Sequence, residues 1–150
     1  MKRYTALYAE FIGTFAMVFC GTAAMAVNET TGDVAHEGVA ITWGLIVMVM
    51  IYAFGSRSGA HFNPAVTTAF ALVKRFPWKK VPAYVITQTV AAVVASVAVK
   101  AIIPKSVIIG ATIPSIPHES AFWLEFLLSF FLMIVILHIS TGSKEIGPVA

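Results

Sequence analysis

Charge is scarce in this chain. Only 11% of its 150 residues are charged and 59% are hydrophobic, a balance that excludes a soluble domain of this size and suits a bilayer as solvent. Cysteine is nearly absent: Cys20 stands alone inside an apolar run, so no intramolecular disulfide can form, and its simplest reading is a small buried hydrophobe. Histidine is thin and scattered. His36, His61, His118 and His138 lie on separate segments without a His-x-x-x-His spacing, so no metal site is expected and no cofactor is called for. No nucleophile and base stand as a pair, which argues against an enzyme and leaves no catalytic residue to name. The formal charge of +3 sits in short clusters between apolar runs, without a basic face interleaved with aromatics, so nucleic acid is not a partner.

Apolar runs are what the chain has in plenty. Residues 4–27, 38–54, 82–103 and 120–139 reach or approach spanning length at about 1.5 Å per residue against a hydrocarbon core of about 30 Å. A signal peptide is the competing reading of the first, but its apolar region would be roughly 7 to 15 residues long. The first run is longer and carries Glu10, so it is read as an uncleaved span. Residues 62–73 are apolar too, yet cover only about half a bilayer as a helix. Residues 147–150 turn apolar again, as the opening of a fifth span would. Lys2 and Arg3 precede the first span, residues 28–37 carry Glu29, Asp33 and Glu37 with no Lys or Arg, and Arg57, Lys74, Arg75, Lys79 and Lys80 follow the second. Lys144 follows the fourth, and only Lys100 and Lys105 fall toward the outer side. The positive-inside rule therefore places the N-terminus in the cytoplasm of a multi-pass cell-membrane protein.

Small residues recur at a spacing of four in the third span, at Ala83, Thr87, Ala91 and Ala95, beside a second row of Gln88, Ala92 and Ser96. Such rows let helix backbones approach closely in lipid. Ala9 and Gly13, and Ala40 and Gly44, offer similar contacts, and Gln88 should turn inward because an amide facing lipid would go unsatisfied.

The first and fourth spans echo one another. Ala9-Glu10-Phe11-Ile12-Gly13-Thr14-Phe15 matches Leu124-Glu125-Phe126-Leu127-Leu128-Ser129-Phe130 in its glutamate, its two phenylalanines and its hydroxyl. With three spans per unit the repeats are inverted, the first covering about 1–105 and the second beginning about 118–150, which is a transport architecture. A central acidic residue costs roughly 2.5 to 3.5 kcal/mol on insertion scales unless it finds a partner. Three readings stay open for Glu10 and Glu125: a proton relay in a coupled transporter, a carboxylate that accepts N–H bonds from neighbouring irregular backbone, or a side chain near an interface that reaches water. The absence of Lys and Arg from both spans favours the second.

The half-length segment carries Ser58-Gly59-Ala60-His61-Phe62-Asn63-Pro64-Ala65-Val66-Thr67. Gly59 permits irregular backbone, Asn63 is a preferred N-cap and Pro64 suits the first helical position. A helix is expected to begin at Asn63 with the positive end of its dipole near the bilayer midplane. The unwound stretch before it is tolerable at that depth only where it lines a watery cavity.

This string strongly resembles the first signature loop of the aquaporin and aquaglyceroporin, or major intrinsic protein, family. The resemblance extends over the whole chain through Ala9-Glu10-Phe11-Ile12-Gly13-Thr14, Gln88 and Glu125. It implies an all-α, aquaporin-like right-handed bundle with four transmembrane helices and one re-entrant half-helix, out of the family's six and two. It implies a passive channel for water, glycerol or other small neutral solutes, working in a lipid bilayer as a homotetramer. By the same resemblance Asn63 is a side-chain donor at the pore centre, Gly59, Ala60, His61 and Phe62 supply a ladder of carbonyls, and Pro64 and Ala65 open the half-helix. Glu10, Gln88 and Glu125 then support the loops, and the His61 ring packs behind the pore. Trp43, twenty positions before Asn63, stands where the family places an aromatic of its outer filter. Gly38-Val39-Ala40-Ile41-Thr42-Trp43-Gly44 and Lys74-Arg75-Phe76-Pro77 look most like the nodulin-like intrinsic protein group, which tilts the solute toward glycerol and neutral hydroxylated acids such as boric, silicic or arsenous acid. A second Asn-Pro-Ala loop and the filter arginine beyond it are not in these residues, so the chain is expected to be a fragment or truncated product, or to need two copies to complete a pore. A proton-coupled transporter and a non-conducting structural protein remain the alternatives.

One placement can be tested from sequence alone. In a Cys20→Ser background, Asn63→Cys should react only with small thiol reagents, through a narrow path; rapid labelling by a bulky cytoplasmic reagent would contradict a midplane Asn63.

Overall fold

In the computed structural model the described residues are 2–140, with side chains described from residue 5. Lys144 and the apolar residues 147–150, read as the opening of a fifth span, lie outside them. Every regular element described is helical: α1 (Lys2–Thr31), α2 (Ala35–Ser58), α3 (Pro64–Leu72), a 3-10 turn (Trp78–Lys80), α4 (Val81–Ile102) and α5 (His118–Ile139). Four of them carry stretches long and apolar enough to cross a membrane: Thr5–Thr31, Ala35–Ser58, Trp78–Ile102 and His118–Ile139. The helices outrun the apolar windows of α1 and α2 by several residues. Hydropathy marks the part suited to hydrocarbon, whereas the backbone ladder continues until a left-handed residue stops it, Gly32 at φ 78° after α1 and Gly59 at φ 92° after α2.

The chain divides into two units, Met1–Ala111 and Thr112–Ala150. In the first, α1 packs against both α2 and α4, and α3 lies on α4. The buried stripe of α1 runs through Ala9, Glu10, Gly13, Thr14, Gly21, Thr22 and Ala26, nearly all small, so its neighbours approach closely where no water-driven term favours association. Phe11, Phe15 and Phe19 occupy another face as a stacked ladder, with centroids 6.5 and 5.7 Å apart.

Two expectations about small residues change here. The seam of α4 is Val81, Tyr84, Gln88, Ala91, Ala95 and Val99, which takes Ala91 and Ala95 from one predicted row and Gln88 from the other. Ala83, Thr87, Ala92 and Ser96 stay outside the buried seam. At 3.6 residues per turn a strict spacing of four drifts around the helix, so a straight contact line alternates steps of three and four. In α2, Ala40 and Gly44 lie off the contact, and a Cβ on Gly44 would meet nothing within 4 Å. The contact with α1 runs instead through Trp43, whose indole Cε2 lies 2.2 Å from where a Cβ on Gly21 would stand.

The second unit is described by α5. Its Phe122, Phe126 and Phe130 stack with centroids 6.5 Å apart at each step, so the Glu-Phe-x-x-x-Phe echo of α1 produces the same local ladder.

The glycines offer a test of this packing. A Cβ on Gly13 would sit 2.0 Å from Cε1 of Phe62, so Gly13→Ala should destabilise by about 1–3 kcal/mol through overpacking. Gly44→Ala, with open space, should be neutral or gain about 0.5–1 kcal/mol of helix propensity. Thermal unfolding in detergent checks both, and equal melting of the two variants would count against the notch.

Candidate functional site

The site grows from the end of α2. Gly59 caps that helix, its N–H donating to the Gly55 carbonyl at 2.9 Å, and its φ of 92° is a left-handed conformation that glycine adopts without a steric penalty. Ala60 (φ 48°) and Phe62 (φ 50°) are also left-handed, which is costly for residues with a Cβ and persists only where surroundings hold it. Backbone turned this way presents its N–H groups to one side instead of to a helix ladder.

Glu10 receives them. Its carboxylate is 0% exposed; Oε1 accepts the His61 N–H at 3.0 Å, and Oε2 accepts the Phe62 N–H at 2.8 Å and the Gln88 Nε2–H at 2.8 Å. Glu10 stands eight residues into α1 and Gln88 seven into α4, roughly 12 and 10 Å from the helix starts. The irregular backbone is thus held well inside the length of the spans. Thr14, one turn above Glu10, donates Oγ1 to the Phe62 carbonyl at 3.2 Å.

A second layer ties α3 and α4 to the same point. Thr67 Oγ1 donates to the Asn63 carbonyl at 3.0 Å, accepts Gln88 Nε2 at 2.9 Å and lies 3.1 Å from His61 Nδ1. One hydroxyl has one proton, so all three bonds are satisfied together when the His61 ring carries a hydrogen on Nδ1. The ring stacks on Phe70 and meets Phe76 and Tyr84 at steeper angles, at centroid distances of 4.7, 4.7 and 5.3 Å. Phe76 arrives there because Lys74 (φ 62°) reverses the chain after α3, letting the Arg75 and Phe76 N–H groups donate to the Phe70 carbonyl. Tyr84 donates its hydroxyl to the Ser58 carbonyl at 2.9 Å and closes the last turn of α2. Among the described residues no buried side-chain polar atom lacks a partner.

Asn63 is the N-cap of α3. Its backbone is extended, Oδ1 accepts the Ala65 N–H at 2.7 Å, and Pro64 opens the helix. With Oδ1 engaged, the amide orientation is set and Nδ2 is the end that projects from the exposed residue.

The structure therefore gathers Glu10, His61, Phe62, Asn63, Pro64, Ala65 and Gln88 on one network, with Gly59 and Ala60 at its edge. Phe62 is 2% exposed, with its ring in the Gly13 notch and its carbonyl accepting the Thr14 hydroxyl. Trp43 packs on Gly21 of α1, and Glu125, in the other unit, is exposed on α5. Thr14, Thr67, Tyr84, Phe70 and Phe76 take parts that the sequence does not announce. Thr14 and Thr67 sit inside the signature strings and are hydroxyls near unwound backbone, which is a usable signal, whereas nothing local marks Tyr84. No cluster of His, Cys, Asp and Glu suited to a metal occurs among the described residues.

Four helices long and apolar enough to cross a membrane, with a half-length helix laid on α4 and the irregular backbone before it satisfied by buried side chains, define a multi-pass membrane protein of the interrupted-helix kind. The sequence matches the family described as Major intrinsic protein over residues 1–148, and the chain belongs to that family. It is 43% identical to Aquaporin NIP1-4 of Oryza sativa subsp. japonica across 96% of this chain and 53% of that protein. It is 45% identical to Aquaporin NIP6-1 of Arabidopsis thaliana across 100% and 50%, and 44% to the Probable aquaporin NIP-type of Nicotiana alata across 96% and 54%. The chain spans about half the length of the curated relatives it matches.

Substitution at Glu10 separates the contributions. Glu10→Gln keeps one acceptor and turns a donor toward the Phe62 N–H, while Glu10→Leu orphans both backbone groups; at about 1–3 kcal/mol per unpaired N–H, the leucine variant should lose about twice as much stability. Amide exchange at residues 61 and 62 together with thermal unfolding reads this, and a leucine variant as stable as the parent would refute the bracing role.

Proposed function

We propose that this chain forms half of a passive pore for water and small uncharged solutes, with its N-terminus in the cytoplasm of the cell membrane. One observation carries the reading: the bonds by which Glu10, itself held by Gln88, accepts the His61 and Phe62 N–H groups arrive from the α1 and α4 side, while the Asn63 side chain at the positive end of α3 is exposed and oriented. A passing water or hydroxyl would exchange bulk hydrogen bonds for the Asn63 amide and for the carbonyls of Gly59, Ala60 and His61. A cation is disfavoured by the half-helix dipole and by desolvation that nothing repays, so protons and ions are opposed without any cofactor. Trp43 serves as an aromatic of the outer filter. The likeness to proteins named as aquaporins supports a channel in place of an enzyme, and we extend the reading to glycerol and neutral hydroxylated acids beside water as solutes and to a homotetramer as the assembly.

A lone half-helix leaves its dipole and open carbonyls without the opposing element that a closed pore needs. A second half, continued in the same polypeptide or supplied by another copy, completes the passage. Residues 1–150 alone in vesicles should therefore show stopped-flow water permeability no higher than empty vesicles. The protein at its native length should pass water, glycerol and boric acid down their gradients without moving protons. Uptake against a gradient driven by pH would overturn the passive reading, and a proton-tight water flux from residues 1–150 alone would overturn the need for a second half.

A further inference from the structure

Glu10 is not the only carboxylate on α1 that holds irregular backbone. Near the other end, Glu29 Oε2 accepts the Ser106 hydroxyl at 2.6 Å and the Ile108 N–H at 3.4 Å, and Oε1 accepts the Val107 N–H at 3.0 Å. Ser106 is 0% exposed, and its Oγ accepts the Ile109 N–H at 3.3 Å in turn. Lys100, in the last turn of α4, donates Nζ to the Ser106 carbonyl at 2.7 Å and to the Pro104 carbonyl at 3.1 Å. The segment after α4 is thus gripped from both helices.

Past this grip the chain descends. Ile109 (φ 45°) and Gly110 (φ 76°) are left-handed, and a Cβ on Gly110 would lie 2.6 Å from Thr22 Cγ2 and 3.6 Å from Met25 Sδ. Thr22 is seven residues before Glu29, about 10 Å further into the span. The chain therefore runs back along α1 instead of leaving over its end. At that level stands Trp43, packed on Gly21. Gly21 and Thr22 are successive residues, about 1.5 Å apart along the axis and about 100° apart around it, so the indole and the loop meet α1 at the same level on neighbouring faces.

We propose that Glu29 is a positioning residue for solute discrimination: with Ser106 it clamps residues 107–110 down beside Trp43, and the width of the passage at that level depends on the clamp. The inference rests on the channel reading and on Trp43 as its outer aromatic. Neither Glu29 nor Ser106 touches the solute; their effect passes through the loop.

Glu29→Gln, Glu29→Ala and Ser106→Ala, in the protein at its native length in membranes, test it by two readouts. Amide exchange at 107–109 should accelerate about tenfold in Glu29→Ala while that at 61 and 62 is unchanged. The ratio of glycerol to water permeability should rise by about threefold or more, as for a residue that acts on a site without contacting the ligand, with Glu29→Gln falling between Glu29→Ala and the parent. Unchanged exchange at 107–109 overturns the clamp. Accelerated exchange with an unchanged permeability ratio overturns the positioning role. A parent protein that passes neither solute removes the channel reading, and this inference falls with it.

Discussion

A backbone N–H inside a bilayer has no water to turn to, and those of His61 and Phe62 have no helix ladder to join, because the chain is irregular there and left-handed at Ala60 and Phe62. The Glu10 carboxylate answers that constraint. Two of its three bonds go to those N–H groups and the third to Gln88, so one side chain of α1 fixes the loop and ties it to α4. A carboxylate without a counter-cation is costly at this depth, and hydrogen bonds to the charged form are the compensation open to it. Remove the carboxylate and the left-handed residues lose what holds them, the N-cap of α3 loses its approach, and the His61 ring loses its backbone anchor.

From that point the packing spreads outward in shells of decreasing polarity. Thr67 shares one hydroxyl among α3, α4 and the loop, and outside it His61, Phe70, Phe76 and Tyr84 close a ring of aromatic faces and edges. The polar bonds are strong where the medium is apolar, and the aromatic layer keeps it so. A half-length helix that could not hold its position by spanning is held at its N-terminal end by hydrogen bonds and along its flank by rings.

Glu10 and Glu29 perform the same physical task at two depths of one helix, each accepting consecutive N–H groups from a segment far away in sequence, 61 and 62 in one case and 107 and 108 in the other. Rigid helices are the source of position here, and the irregular segments borrow it through carboxylates. This arrangement explains why α1 carries its acids without basic partners in the span, and why its remaining inward residues are small: the loops and rings need the room. Gly13 is the notch for Phe62 and Gly21 the seat for Trp43.

By itself the sequence determined the four spans, the half-length segment, the start of α3 at Asn63 and Pro64, and the need of Glu10 for donors other than cations. These come from local physics: hydropathy over a window, capping chemistry, the cost of burying a charge. Gln88 was legible as inward for the same reason. The tertiary structure alone decided which small residues meet a neighbour, since Ala91 and Gly13 do and Gly44 does not, and an outward glycine looks the same as an inward one in a string. It alone turned Phe62 into the Gly13 notch, recruited Tyr84 to the end of α2 and joined Glu29 to Ser106 across 77 positions. Such pairings depend on the rotation of each helix about its axis and on the path of left-handed loops, and those are set by the contacts of the whole bundle, to which a residue's neighbours in sequence carry no pointer.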